Sequence, residues 1–127
     1  MLKNMAMLFG WVFLVVGVLG FVPGITTADG HLLGIFHVNA MHNIVHIVSG
    51  LAALYLASKG EEGSQTFFKV FGVIYALVAV LGFFAGDNDI LGFISNNMAD
   101  TWLHVVIAVV ALYLGFGTKK EGSVQTA

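Results

Sequence analysis

The chain has 127 residues, of which 58% are hydrophobic and 9% charged, with a formal net charge of −2. A soluble domain carries about 25% charged residues, so this composition excludes a surface wetted all round and points to an integral membrane protein. The lack of cysteine excludes disulfides and thiolate-ligated metals, the negative net charge excludes a basic nucleic-acid footprint, and the lack of arginine excludes bidentate phosphate clamps.

Four apolar runs follow one another, at residues 5–22, 41–57, 67–85 and 101–116. Each approaches the length of about 20 residues that carries a helix across a bilayer. A membrane β-barrel needs about eight strands or more, too many for this chain. The first run could also be read as a secretory signal peptide, since Lys3 precedes it and small residues follow. Its counterpart inside the chain, described below, favours a helix of the folded protein.

The connections differ in character. Residues 58–66, SKGEEGSQT, read as a polar loop. Residues 23–38 and 85–98 are longer, each with a Gly/Asp turn before a short apolar patch. They read as short interfacial segments lying on the membrane surface. Residues 118–127 form a polar tail. Lys3, Lys59, Lys69, Lys119 and Lys120 all fall on one side of this arrangement. The positive-inside rule then makes both termini and the 2–3 loop cytoplasmic.

The chain repeats itself. Residues 39–57, NAMHNIVHIVSGLAALYLA, match residues 97–115, NMADTWLHVVIAVVALYLG, at an offset of 58. Asn39 falls on Asn97, His42 on Asp100 and His46 on His104. At an offset of 62, Phe9-Gly10 falls on Phe71-Gly72 and Gly20-Phe21 on Gly82-Phe83. The expected fold is therefore an all-α membrane protein of one domain. It has two tandem, parallel helix-pair repeats (about 5–58 and 67–117) in a pseudo-twofold four-helix bundle. Helix 2 would face helix 4. His42, Asn43, His46, Ser49, Gly50, Ala53 and Ala57 share one face of helix 2. Asp100, Thr101, His104, Ala108, Ala111 and Gly115 share one face of helix 4. Small residues allow close helix approach in lipid. The Gly20/Gly24 and Gly82/Gly86 pairs hint at close contact between helices 1 and 3.

The pattern Asn39-x2-His42-Asn43-x2-His46-x3-Gly50, with Asn97-x2-Asp100-x3-His104 in the second half, resembles the bacterial and archaeal membrane proteins grouped as domain of unknown function 4383. The resemblance spans roughly residues 7–116 and implies four transmembrane helices, in the cytoplasmic membrane of a prokaryote. It implies no activity. Thr101, where that family usually has Asn after Asp, and Ala108, opposite Gly50 of the first half, depart from strict equivalence of the two halves.

The candidate site is the polar start of helices 2 and 4. His42 with His46, and Asp100 with His104, sit four apart on helical faces. Together they form a donor set suited to Zn²⁺, Mn²⁺ or Fe²⁺. His46 and His104 could instead be the axial ligands of a b-type haem. In a third reading the cluster is structural. Asn39 and Asn97 cap helices, Asp100 meets a helix dipole, and Asn43 and Thr101 join a network that holds helices 2 and 4 together. This structural reading is the favoured expectation, with no cofactor bound. His31 and His37 read as solvated loop residues and Asp87 and Asp89 as a turn. Trp102, Tyr55 and Tyr113 fit interfacial belts. No catalytic motif is present, so no enzyme is expected. The favoured function is a non-enzymatic structural or accessory subunit embedded in the bilayer, self-associating or part of a larger complex. A metal or haem protein and an oligomeric transporter or channel are the alternatives.

Overall fold

A computed structural model describes residues 1–118 of the chain. Four helices account for most of it: α1 Leu2–Leu19, α2 Ala40–Ala57, α3 Gly60–Ala85 and α4 Met98–Phe116. All four are long and apolar enough to cross a membrane. Between α1 and α2 a two-stranded antiparallel hairpin pairs β1 (His31–Leu32) with β2 (Phe36–His37). The polar tail, with Lys119 and Lys120, lies outside the described residues.

The helices turn their large apolar side chains outward. Leu77, Val80, Val106 and Val109 are each half or more exposed, while Ser64, Asn96, Asp100, Thr101 and three histidines are buried. A water-soluble fold would not present so broad an apolar exterior. In lipid the preference disappears, and polar groups go inside where partners can be found.

Packing is closest within the pairs α1/α2 and α3/α4. Glycines make this possible. A Cβ on Gly50 would stand 2.6 Å from the Gly10 carbonyl oxygen, and one on Gly115 would stand 2.6 Å from the Lys69 backbone nitrogen. The same matching pairs Gly20 with Asn43 and Gly82 with Thr101. The small-residue faces of α2 and α4 are buried as expected, but they serve their own helix partners more than each other. Gly20 and Gly82 likewise meet α2 and α4. They do not bring α1 and α3 together.

The centre between the pairs is filled by rings from α1 and α3. Phe9 meets Phe67 and Phe68 edge-on at 5.6 Å, and Phe13 meets Tyr75 at 5.6 Å. These bulky groups hold α1 against α3. As a result α2 and α4 are not primary packing partners, in contrast to the expected helix 2–4 contact.

Helix α3 starts earlier than the sequence reading placed it. Residues 60–66 are helical, leaving only Ser58 and Lys59 between α2 and α3. Glu61 and Glu62 suit the positive end of the helix dipole. Ser64 and Thr66 bond back to the Gly60 and Glu62 carbonyls at 2.8 and 3.0 Å. The Glu61 carboxylate also accepts the backbone N–H groups of Leu2 and Lys3. It therefore caps α1 from the neighbouring helix and supplies a side-chain cap that Met1 lacks.

At the opposite end of the bundle the two long connections fold alike. Leu33 and Leu91 both adopt φ 55°, each followed by a glycine at positive φ. In place of a flat interfacial segment the first connection forms the hairpin, whose His31 and His37 rings stack at 4.9 Å. Asp29 lies beside them. A hydrogen bond from the Thr27 hydroxyl holds its carboxyl below the ordinary range.

A candidate tri-histidine metal centre

The site is built on the starts of α2 and α4. Each helix begins at an asparagine with identical backbone angles, φ −142° and ψ 179°. Asn39 Oδ1 accepts the His42 N–H at 2.9 Å, and Asn97 Oδ1 accepts the Asp100 N–H at 2.9 Å. These caps fix the first turn, and the helical repeat then sets what points inward. His46 and His104 each lie seven residues beyond the cap, about 10 Å further along the helix.

Side chains from both helices converge there. The His42 ring stands 4.7 Å from His46 and 5.8 Å from His104, and His46 stands 6.4 Å from His104. One ring nitrogen from each of the three lies within 4.8 Å of the other two, and all three residues are buried. The rings have aromatic backing: Phe13 lies 5.3 Å from His46, and Tyr75 5.4 Å from His104.

Chemistry decides one tautomer. His42 Nδ1 lies 2.8 Å from the Ser95 carbonyl oxygen. A carbonyl only accepts, so Nδ1 carries the proton and donates it. His42 Nε2 is then left with its lone pair. Fixing one imidazole nitrogen by a backbone carbonyl while the other coordinates is the usual way a protein orients a metal-binding histidine. His46 Nε2, His104 Nδ1 and the Tyr75 hydroxyl are buried with no hydrogen-bond partner of good geometry. Such a group costs about 1–3 kcal/mol when unsatisfied.

A cavity of about 130 Å³ opens beside the histidines between α2 and α3, lined also by Ser49 and Tyr75. A second, of about 110 Å³, lies towards the first loop and is lined by Asp100. A larger cleft of about 390 Å³ separates α1 from α4, and His46 is the polar side chain among the described residues that line it.

The sequence candidates divide. His42, His46 and His104 come together, and Asp100 does not join their nitrogens. Its carboxylate instead accepts the Asn97 N–H at 3.0 Å, completing a capping box on α4. Asn43 packs on Gly20, and Thr101 bonds with Asn96. Asn97 and Asn39 cap their helices and also reach across to the other half. Asp87 Oδ1 adds a bond to the Met98 N–H at 3.2 Å.

Three contributors were not picked out from sequence. Ser95 orients His42 through its carbonyl, which no side-chain pattern reveals. Asn96 is fully buried and bonds to the Gly86 carbonyl at 2.9 Å, tying the end of α3 to α4. Tyr75 belongs to no motif. Its hydroxyl stands where Phe13 has none in the first half, and that difference was the available signal.

The rings of His46 and His104, the pair considered for haem, stand 6.4 Å apart with His42 close to both.

The geometry thus defines a four-helix, membrane-spanning fold with a buried group of three histidines. The chain belongs to the family described as a domain of unknown function, DUF4383, whose model matches residues 3–117. No curated protein and no solved structure matches the chain.

Proposed function

We propose that this chain is an integral membrane protein that binds one first-row divalent metal ion on His42, His46 and His104. What supports the reading is the trio itself. Three buried imidazole nitrogens lie within 4.8 Å of one another, and two of the rings carry a nitrogen with no partner. Three neutral imidazoles suit Zn²⁺, Cu²⁺, Ni²⁺ or Fe²⁺. Zn–N bonds of about 2.0–2.1 Å in a tetrahedral site put the nitrogens roughly 3.3 Å apart, so the rings would have to close in on the ion.

The purely structural reading leaves His46 Nε2 and His104 Nδ1 without a partner. Hydrogen bonds from Asn39, Asn97 and His42 already hold the two halves together at this end. The histidines make none with one another. The role proposed is non-enzymatic: the ion links α2 to α4, where helix packing alone leaves a gap. The lysine distribution supports cytoplasmic termini, which puts the metal site in the outer part of the bilayer.

The test is elemental analysis of detergent-purified protein carrying no polyhistidine tag, after incubation with Zn²⁺ and dialysis. One zinc per chain is expected. His46→Ala and His104→Ala should each lose it while keeping wild-type helical content by circular dichroism. A zinc-free wild type, or variants that retain the ion, would overturn the reading.

A further inference from the structure

We infer that the cleft between α1 and α4 is a binding groove for one acyl chain of a bilayer phospholipid. The groove follows from the topology. The offsets of 62 and 58 that relate the two halves map its walls onto those of the smaller cavity between α2 and α3. Val12 falls on Ile74, Val16 on Val78 and Leu103 on Val45. The two spaces are thus pseudo-symmetry mates of unequal size, about 390 and 130 Å³. Only Ser58 and Lys59 lie between α2 and α3, which draws those helices together at one end. No short connection ties α4 to α1. Where α3 carries the buried Phe67, α1 carries the thinner Met5, which lines the groove.

The setting selects the occupant. Leu8 and Val12 line the groove and are half exposed, so it opens sideways from the bundle. Both flanking helices are long and apolar enough to cross a membrane, and the medium at the mouth is then hydrocarbon. Water is a poor filler, because it needs about two to four polar partners and His46 is the polar side chain among the described residues on these walls. A polypeptide inside a bilayer has to be helical to satisfy its backbone. A helix about 10 Å across, running the ~16 Å of α1 from Met5 to Val16, fills on the order of 1,200 Å³, far more than the groove holds. An acyl chain is thin and flexible, and it gains dispersion contacts along both walls. The volume also falls within the roughly 300–1,000 Å³ of sites for small ligands. The inference uses the apolar walls and no nitrogen of His46, so it stands apart from the metal reading.

The experiment places the full chain in phosphatidylglycerol vesicles containing a phospholipid with a mid-chain diazirine, irradiates them and maps the labelled residues. Label is expected to concentrate on residues 5–16 of α1 and 103–107 of α4, above the exposed Val73 and Leu77 of α3. Even labelling of α1, α3 and α4 overturns the groove. In a second measurement, delipidated protein in detergent is titrated with palmitoyl-oleoyl phosphatidylglycerol and weighed by native mass spectrometry. One lipid per chain is expected on wild type and on the outward-facing Val73→Phe, and none on Val12→Phe/Ile107→Phe, whose added rings fill the groove. A wild type that holds no lipid, or a double variant that holds it equally well, overturns the inference. So does a wild-type dimer that the double variant converts to monomer, because a second copy then occupies the groove. All these variants keep the three histidines, and their zinc content tests the metal reading separately.

Discussion

Asn39 and Asn97 exchange hydrogen bonds across the bundle. Asn39 Nδ2 donates to the Phe93 carbonyl at 3.0 Å, and Asn97 Nδ2 donates to the Ile35 carbonyl at 2.9 Å. Each asparagine caps its own helix with its oxygen and holds the opposite loop with its nitrogen. The acceptors, like the donors, are 58 residues apart. The two halves are thereby latched together just above the histidines.

Substituting aspartate separates the two tasks. Asp caps a helix about as well as Asn, but it has no N–H to give and places a carboxylate against a carbonyl. Asn39→Asp and Asn97→Asp should each lower stability by about 0.5–1.5 kcal/mol, measured by thermal unfolding in detergent. Neutral effects at both positions would show that the crossed bonds contribute nothing. Asn39→Ala loses the cap as well and should cost about 1 kcal/mol more.

Gly50→Ala tests the packing within the first pair. The added methyl meets backbone, the Gly10 oxygen at 2.6 Å and the Leu14 nitrogen at 2.7 Å, so no side chain can swing aside. Overpacking of this kind costs about 1–3 kcal/mol. A variant as stable as wild type would mean that α1 and α2 are less tightly apposed.

The chain has no cysteine, which makes topology directly testable. With cytoplasmic termini, a membrane-impermeant maleimide added to intact cells should label Asp89→Cys and spare Ser58→Cys until the cells are opened. The reverse pattern would invert the orientation and put the three histidines on the inner side.

Much of the fold could be read from the residues because lipid leaves a strong pattern. Small and polar side chains at helical spacing marked the buried faces of α2 and α4 almost residue by residue. Which surface each face meets was not readable. Gly50 is equally suited to approaching α1 or α4, and the rings of Phe9, Phe13, Phe67 and Tyr75 decide the matter only once they are packed together. The start of α3 was missed because residues 60–66 carry no apolar stripe. They are helical through dipole and hydroxyl contacts and through Glu61, whose partner is another helix. At the site, His42, His46 and His104 stood out as ionisable groups in apolar runs. Asp100 shared their spacing, yet a capping box claimed its carboxylate, and sequence spacing alone could not choose between cap and ligand.

The most direct test of the central claim is X-ray absorption spectroscopy at the zinc edge of the loaded protein. The account predicts a first shell of four light scatterers at about 2.0–2.1 Å, with the outer-shell pattern of three imidazoles, reduced in His104→Ala. A shell of oxygen donors without imidazole scattering, or one unchanged in that variant, would contradict it.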